Sequence, residues 1–222
     1  MRQPFSPLYL LLIIFGLAFL IAFVQVGLIT IAFDKLGLTA VQAMLLLFSS
    51  LFTSAINLPI ATVQAQPPPP HSIPPAIQSI LRLPQIPFTG KTMIAVNVGG
   101  CIIPTVFSLS LLHNNPINLG ESAFAVGIIA AVSYAASRPM PGVGIGIPML
   151  VAPLAAAIVA TIIDAEHAAP LAYICGTIGI LIGADVMRLK DILSLGAPMA
   201  SIGGAGTFDG IFITGIVAVL LA

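Results

Sequence analysis

From Leu8 to Phe33 the chain runs for 26 residues without one charged side chain. A helix rises about 1.5 Å per residue, so about 20 apolar residues cross the hydrocarbon core of a bilayer. The apolar stretch of a cleavable signal peptide is much shorter, so this run is expected to be a first spanning helix that stays attached. Further apolar runs occupy Ala40–Thr62 and Thr92–Leu112, and four more compact ones follow at Ser122–Ser137, Ile147–Ile163, Ala168–Met187 and Gly203–Ala222. With 59% hydrophobic and 6% charged residues in 222, and a mean hydropathy of +1.15, there are too few charges to cover a soluble domain. The expectation is an all-α fold: one transmembrane domain over residues 1–222, a bundle of about seven spans.

Seven spans assign every loop to a side, and Lys and Arg accumulate in cytoplasmic loops. With the N-terminus cytoplasmic, Arg2, Arg82, Lys91, Arg138, Arg188 and Lys190 fall inside and only Lys35 outside. Counting the fourth and fifth runs as one span would move Arg188 and Lys190 outside, so the bias supports seven. The linker RPMPGVGIGIP, with three prolines and three glycines, predicts a broken or re-entrant segment near Pro139 to Pro148. Such backbone is tolerated at membrane depth only where protein or a water cavity covers it. The long cytoplasmic loop, residues 63–90, opens with QPPPPHSIPP, which suits an extended polyproline spacer better than an SH3 ligand. After it, AIQSILRLPQIPF suits a short segment lying in the membrane interface.

Seven basic and seven acidic residues leave no basic face for nucleic acid. Cys101 and Cys175 have no paired spacing, so neither a disulfide framework nor a zinc site is expected, and no cofactor is implied. Asp164, Glu166 and His167 are adjacent but cannot close a coordination sphere alone. No GxSxG, HExxH, Walker or Rossmann pattern occurs. The partners left are membrane lipid and a small solute or cation; oligomerisation is left open.

Within SIGGAGTFDGIF, Ser201 to Phe212, the carboxylate Asp209 falls inside the last run, roughly 9 Å from its cytoplasmic edge. An acid at that depth is costly and marks a functional site by default. Asp185 sits near the cytoplasmic end of the preceding span. Asn97 lies at a similar level before Gly99, Gly100 and Pro104, Asn57 closes the second span beside Pro59, and Arg138 closes the fourth. Gly203, Gly204 and Gly206 permit close backbone approach or an unwound helix start with free N–H groups. The competing reading of these glycines is small-residue helix packing, and that of the acids is interhelical glue or interfacial snorkelling. The candidate solute- or ion-binding set is therefore Asp209, Asp185, Asn97, Arg138, Asn57, Gly204 and Gly206, with no metal site.

GADVMRLKDI, Gly183 to Ile192, and SIGGAGTFDGIFITGIVAVLLA, Ser201 to Ala222, resemble an uncharacterised family of prokaryotic integral-membrane proteins known only as a domain of unknown function. The resemblance implies a polytopic fold in a prokaryotic inner membrane and brings no activity with it. The two aspartates on neighbouring spans, the later one near Gly204-Ala205-Gly206, also look like the intramembrane aspartyl proteases of the presenilin and prepilin-peptidase type. In those enzymes two carboxyl groups share a proton and divide the acid and base roles. Here Thr207 and Phe208 separate Asp209 from the glycines, and no Tyr precedes Asp185. The first expectation is a small-solute or ion carrier or binding protein using Asp209 and Asp185. The alternatives are an aspartyl protease with those residues catalytic, and a structural or assembly protein.

Overall fold

The structure, a computed structural model, describes residues 14–15, 17, 25–65, 90–140, 144–194, 199–204 and 208–222, and within them the chain is mostly helical. Helix α1, Gln25–Lys35, is followed by α2, Ala40–Thr53, at an angle of 107°. The turn between them has a mechanical cause. Leu38 N–H reaches back to Phe33 O and Gly37 N–H to Asp34 O, a Schellman closure with Gly37 at φ +73°. Thr39 then starts α2 through a reciprocal capping box with Gln42.

Strand β1, Asn57–Gln64, pairs antiparallel with β2, Lys91–Asn97, with a register irregularity between Pro59 and Ala61. From β2 the chain passes through a π-helical turn, Val98–Ile102, into α3, Ile103–Asn114. Asn118 caps α4, Leu119–Ala136, by accepting the N–H groups of Gly120 and Glu121. A short antiparallel hairpin joins β3, Arg138–Met140, to β4, Gly144–Gly146. Helix α5, Val151–Ile163, precedes α6, Ala168–Ile180, which continues as a second π-helical turn, Leu181–Val186. Helix α7, Leu189–Ser194, strand β5, Met199–Ile202, and helix α8, Phe208–Leu221, complete the order. β5 runs parallel to β2, giving a three-stranded sheet ordered β1-β2-β5.

Helix α6 is the axis of the packing. Eleven of its thirteen residues are buried, against α3, α4, α5 and α8. Gly176, Gly179 and Gly183 let neighbours approach closely: an ideal Cβ would lie 2.8 Å from the Thr214 methyl, 2.7 Å from Ile129 and 2.2 Å from the Ala130 carbonyl oxygen. Two apolar clusters divide the core. One contains Phe33, Leu36, Leu111, Leu171 and Val219; the other contains Ile145, Ile180, Ala184, Ala200 and Ile211. Hence the α1–α2 turn and the end of α8 share one end of the molecule, while both sheets and both π-helical turns share the other. Lys35 fixes the first end by donating to Val219 O and Leu220 O, each at 3.3 Å.

Among the described residues, which leave out most of the expected first span Leu8–Phe33, two helices, Leu119–Ala136 and Ala168–Asp191, are long and apolar enough to cross a membrane, and a third span is present if the bent α1–α2 pair is counted as one. On α2, Val41, Leu45, Phe48 and Phe52 form one exposed apolar stripe. These features suit membrane association.

The all-α expectation is corrected by the five strands among the described residues. The second run stops being helical at Thr53, and its remainder is β1; the third begins as β2. The linker breaks the helical run as expected, and its described residues pair as the short strands β3 and β4. Val151–Ile163 and Val98–Asn114 are apolar but shorter than a span. Most of the long loop lies outside the described residues, but its base is closed by the Gln64–Lys91 pair and by Ala65 N–H bonding to Gly90 O at 3.1 Å.

Candidate polar site at the helix breaks

The site grows from one side chain. Asn97, 2% exposed, is the last residue of β2 and the cap of the π-helical turn that follows. Its Oδ1 accepts the Gly100 N–H at 2.7 Å, and its Nδ2 donates to Ser54 O at 2.6 Å and to Asn57 Oδ1 at 3.0 Å. Asn57 Oδ1 also accepts the Ser201 hydroxyl. One buried carboxamide thus ties the end of α2, the first residue of β1, the break before α3 and, through Asn57, the strand β5. Ser50 closes the group by donating to Gly99 O at 2.6 Å.

Glycines set how tightly these pieces meet. An ideal Cβ on Gly99 would lie 2.0 Å from Ser50 O. Gly203, at φ +70°, lies against the first break, where a Cβ would stand 2.6 Å from the Gly100 carbonyl carbon. Its N–H donates to Asp185 Oδ2 at 2.6 Å. Asp185 is 3% exposed and stands on the second break, Leu181–Val186. A carboxylate is seldom buried without compensation, and this charge-assisted bond supplies part of it. The two π-helical turns therefore meet across the β5–α8 turn, and single-turn π segments inside helices often mark functional positions.

Asn57, Asn97, Asp185 and Gly204 come together at this junction, with Gly204 N–H turned back to Ser201 O at 3.1 Å. Asp209 opens α8, but its side chain lies outside the described residues, as does Gly206 entirely. Arg138 takes part in none of the bonds just described. It is exposed on β3, whereas its neighbour Ser137 receives another arginine. Arg188 donates from Nε to Ser137 Oγ at 3.2 Å, from one terminal nitrogen to Tyr134 O at 2.8 Å and Ser137 O at 3.0 Å, and from the other to Asp191 at 2.8 Å. It also stacks 4.2 Å above the Tyr134 ring. Arg188 thus serves the α4 terminus and Asp191, while Asp185 bonds to Gly203.

Ser50 and Ser201 belong to the junction but not to the expected set, and Gly203, a position of close approach in the sequence, joins them. Ser201 stands two residues before the paired glycines, a signal the sequence carries. Ser50 has none, because its role depends on how α2 crosses the break. Beside the junction, Ser50 and Gly100 also line an otherwise apolar pocket with Phe33, Leu46, Tyr173 and Ile211.

At the opposite end, His167 Nδ1 lies 3.0 Å from Asp164 Oδ2, and the His167 N–H donates to Asp164 Oδ1 at 3.0 Å. Among the described residues no three His, Cys, Asp or Glu side chains are grouped to hold a metal.

A family model described as a protein of unknown function, DUF1614, matches residues 51–221. No curated protein and no solved structure matches the chain.

Proposed function

The chain belongs to the DUF1614 family of proteins of unknown function, and from that premise we propose that it is a multi-pass membrane protein that binds or carries a small solute or cation where its helices break. We place it in a prokaryotic inner membrane, with about seven spans and a cytoplasmic N-terminus. The observation that carries this reading is Asp185, a buried carboxylate on an interrupted span-length helix, bonded to the N–H of Gly203 six residues before Asp209. Broken helices with acids at membrane depth are how many transporters expose backbone and charge to an ion or solute. In this reading Asp185 and Asp209 titrate or bind the cation, Asn97 and Asn57 hold the break open, and Gly204 with Gly206 lets backbone N–H groups approach. Arg138 is left out of the binding set because it is exposed on the hairpin.

The test exploits the Gly203 bond. Asp185→Asn keeps an oxygen acceptor for Gly203 N–H and removes only the charge. In nanodiscs, thermal unfolding is followed against Na⁺, K⁺, Ca²⁺ and pH; a bound ion at about 100 times its Kd stabilises by about 2.7 kcal/mol. One cation or the proton should raise the midpoint saturably in the parent protein, and Asp185→Asn and Asp209→Asn should lose that response while still unfolding cooperatively. An unchanged response in both variants sinks the proposal. Lower midpoints in the variants, with no ion or pH response in the parent protein, would favour interhelical glue. The aspartyl-protease alternative rests on the same buried Asp185. It requires both carboxyl groups within one water's reach, and either Asp→Asn change must abolish cleavage of a membrane peptide.

A further inference from the structure

Two span-length helices, Leu119–Ala136 and Ala168–Asp191, end against each other. Arg188 joins them: its guanidinium holds the carbonyls of Tyr134 and Ser137 at the end of α4 and the carboxylate of Asp191 on its own side. The residues just beyond a span lie at the level of the lipid headgroups, where half-exposed tyrosines such as Tyr134 are also enriched. At that level the chain places two further cations. Arg138 is the residue after Ser137, so its Cα is about 3.8 Å from that of a residue Arg188 touches. Lys190 is two residues after Arg188. Both are exposed. Arg188 is occupied in four hydrogen bonds and a ring contact, so among the described residues Arg138 and Lys190 are the exposed cations that adjoin this clamp along the chain.

We infer that Arg138 and Lys190, positioned by the Arg188 clamp, form a binding site for the phosphate of an anionic phospholipid. The site rests on the membrane reading above but not on the solute reading. Its chemistry is that of basic pockets between spans, where a phosphodiester is held by cations at the interface and the acyl chains lie along the apolar helices. Here the acyl chains have the exposed apolar face of α4 to lie along, on which Phe124 is 65% exposed. Arg188 is a positioning residue: it holds the α4 terminus and the start of α7 in one place, and the ligand sits on its neighbours.

The experiment compares the whole protein in phosphatidylglycerol and phosphatidylcholine nanodiscs by thermal unfolding, and measures binding of a spin-labelled phosphatidylglycerol in detergent. The parent protein should unfold at a higher temperature in phosphatidylglycerol and bind the labelled lipid in a salt-sensitive way. Arg138→Gln and Lys190→Gln should each weaken that binding by roughly fivefold. The exchanged pair Arg138→Lys with Lys190→Arg, which keeps both charges, should retain it. Equal behaviour in the two lipids, or full binding by the double Gln variant, overturns the site. Competition by inorganic phosphate as effective as by the lipid would show a free phosphate site instead and overturn the lipid assignment. Failure of the protein to enter either bilayer would overturn this inference and the membrane reading together, whereas loss of the cation response in the preceding test leaves the lipid site standing.

Discussion

Gly37 and Gly203 separate two costs that a glycine can carry. Both have left-handed backbone, at φ +73° and +70°. A Cβ on Gly37 meets nothing within 4 Å, so Gly37→Ala should cost only the conformational penalty, about 1 kcal/mol. A Cβ on Gly203 meets the Gly100 backbone at 2.6 Å, where nothing can yield as a side-chain tip would. Gly203→Ala should therefore destabilise by several times more, about 3 kcal/mol or above, and thermal unfolding of the pair in one detergent compares them directly. Similar losses from both would mean that β5 moves away from the break without cost. Asn97→Ala is the polar counterpart. It strands the Gly100 N–H and leaves Ser54 O and Asn57 short of a donor, which should cost about 3 kcal/mol. Asn97→Asp should be no better, since it removes the amide donors and buries a charge. Much of this junction is legible residue by residue, because an asparagine before two glycines, and an acid in an apolar run, stand out against their surroundings. Arg138 is less legible, because sequence distance to the membrane edge gives depth but not direction, and the structure shows this residue exposed on β3.

Helix ends decide the structure of the elements between them. The run Asn57–Thr62 reads as apolar and long enough to continue a span, because strands buried or half-buried in apolar surroundings and helices share the same composition over short stretches. Pro59 was the available warning, since it cannot sit in a helix interior without breaking it. The pairing of β1 with β2, across the intervening residues 65–90, has no local signal at all. By contrast, the starts of α2 and α4 are written in Thr39 with Gln42 and in Asn118. The end of α4 is set from afar by Arg188, so Arg188→Ala should lower stability by about 2 kcal/mol, a typical value for charge-assisted bonds left unmade. Arg188→Lys should recover only part of it, because a single ammonium cannot reach the two carbonyls, Ser137 Oγ and Asp191 together or lie flat on Tyr134. The start of α6 carries a pH dependence. Partial burial alone would push the Asp164 carboxyl up, but the His167 backbone N–H and ring, with the Glu166 backbone N–H, outweigh it and hold it below its ordinary value. A carboxyl whose folded pKa is depressed gives stability that is whole above the unfolded value of about 3.9 and is lost as pH falls through the folded one. Acid should thus loosen the α5–α6 turn below about pH 4, and Asp164→Asn should flatten that part of the acid profile in hydrogen exchange of His167 and Ala168.

At the scale of the molecule, the two core clusters define two ends, and the charges are not shared evenly between them. Lys91, Arg138, Arg188 and Lys190 stand at the end with the sheets and the breaks, whereas Lys35 stands at the other with Asp34, Asp164 and Glu166. The proposed orientation follows this bias, since Lys and Arg near span ends are retained on the cytoplasmic side, while acids contribute little. On that proposal Asp185 and the polar junction lie within reach of the cytoplasm and the Asp164–His167 turn outside. Single cysteines test this once Cys101 and Cys175 are replaced. In intact cells, a membrane-impermeant maleimide should label Glu166→Cys and Asn115→Cys, and should reach Lys190→Cys only after permeabilisation. The reversed pattern would turn the molecule over, put the junction on the outer face and make any carrier draw its solute first from outside. Labelling of all three in intact cells would mean that the span-length helices do not separate the two ends, and the polar junction would then have to be explained as part of a fold that lies on one side of the membrane.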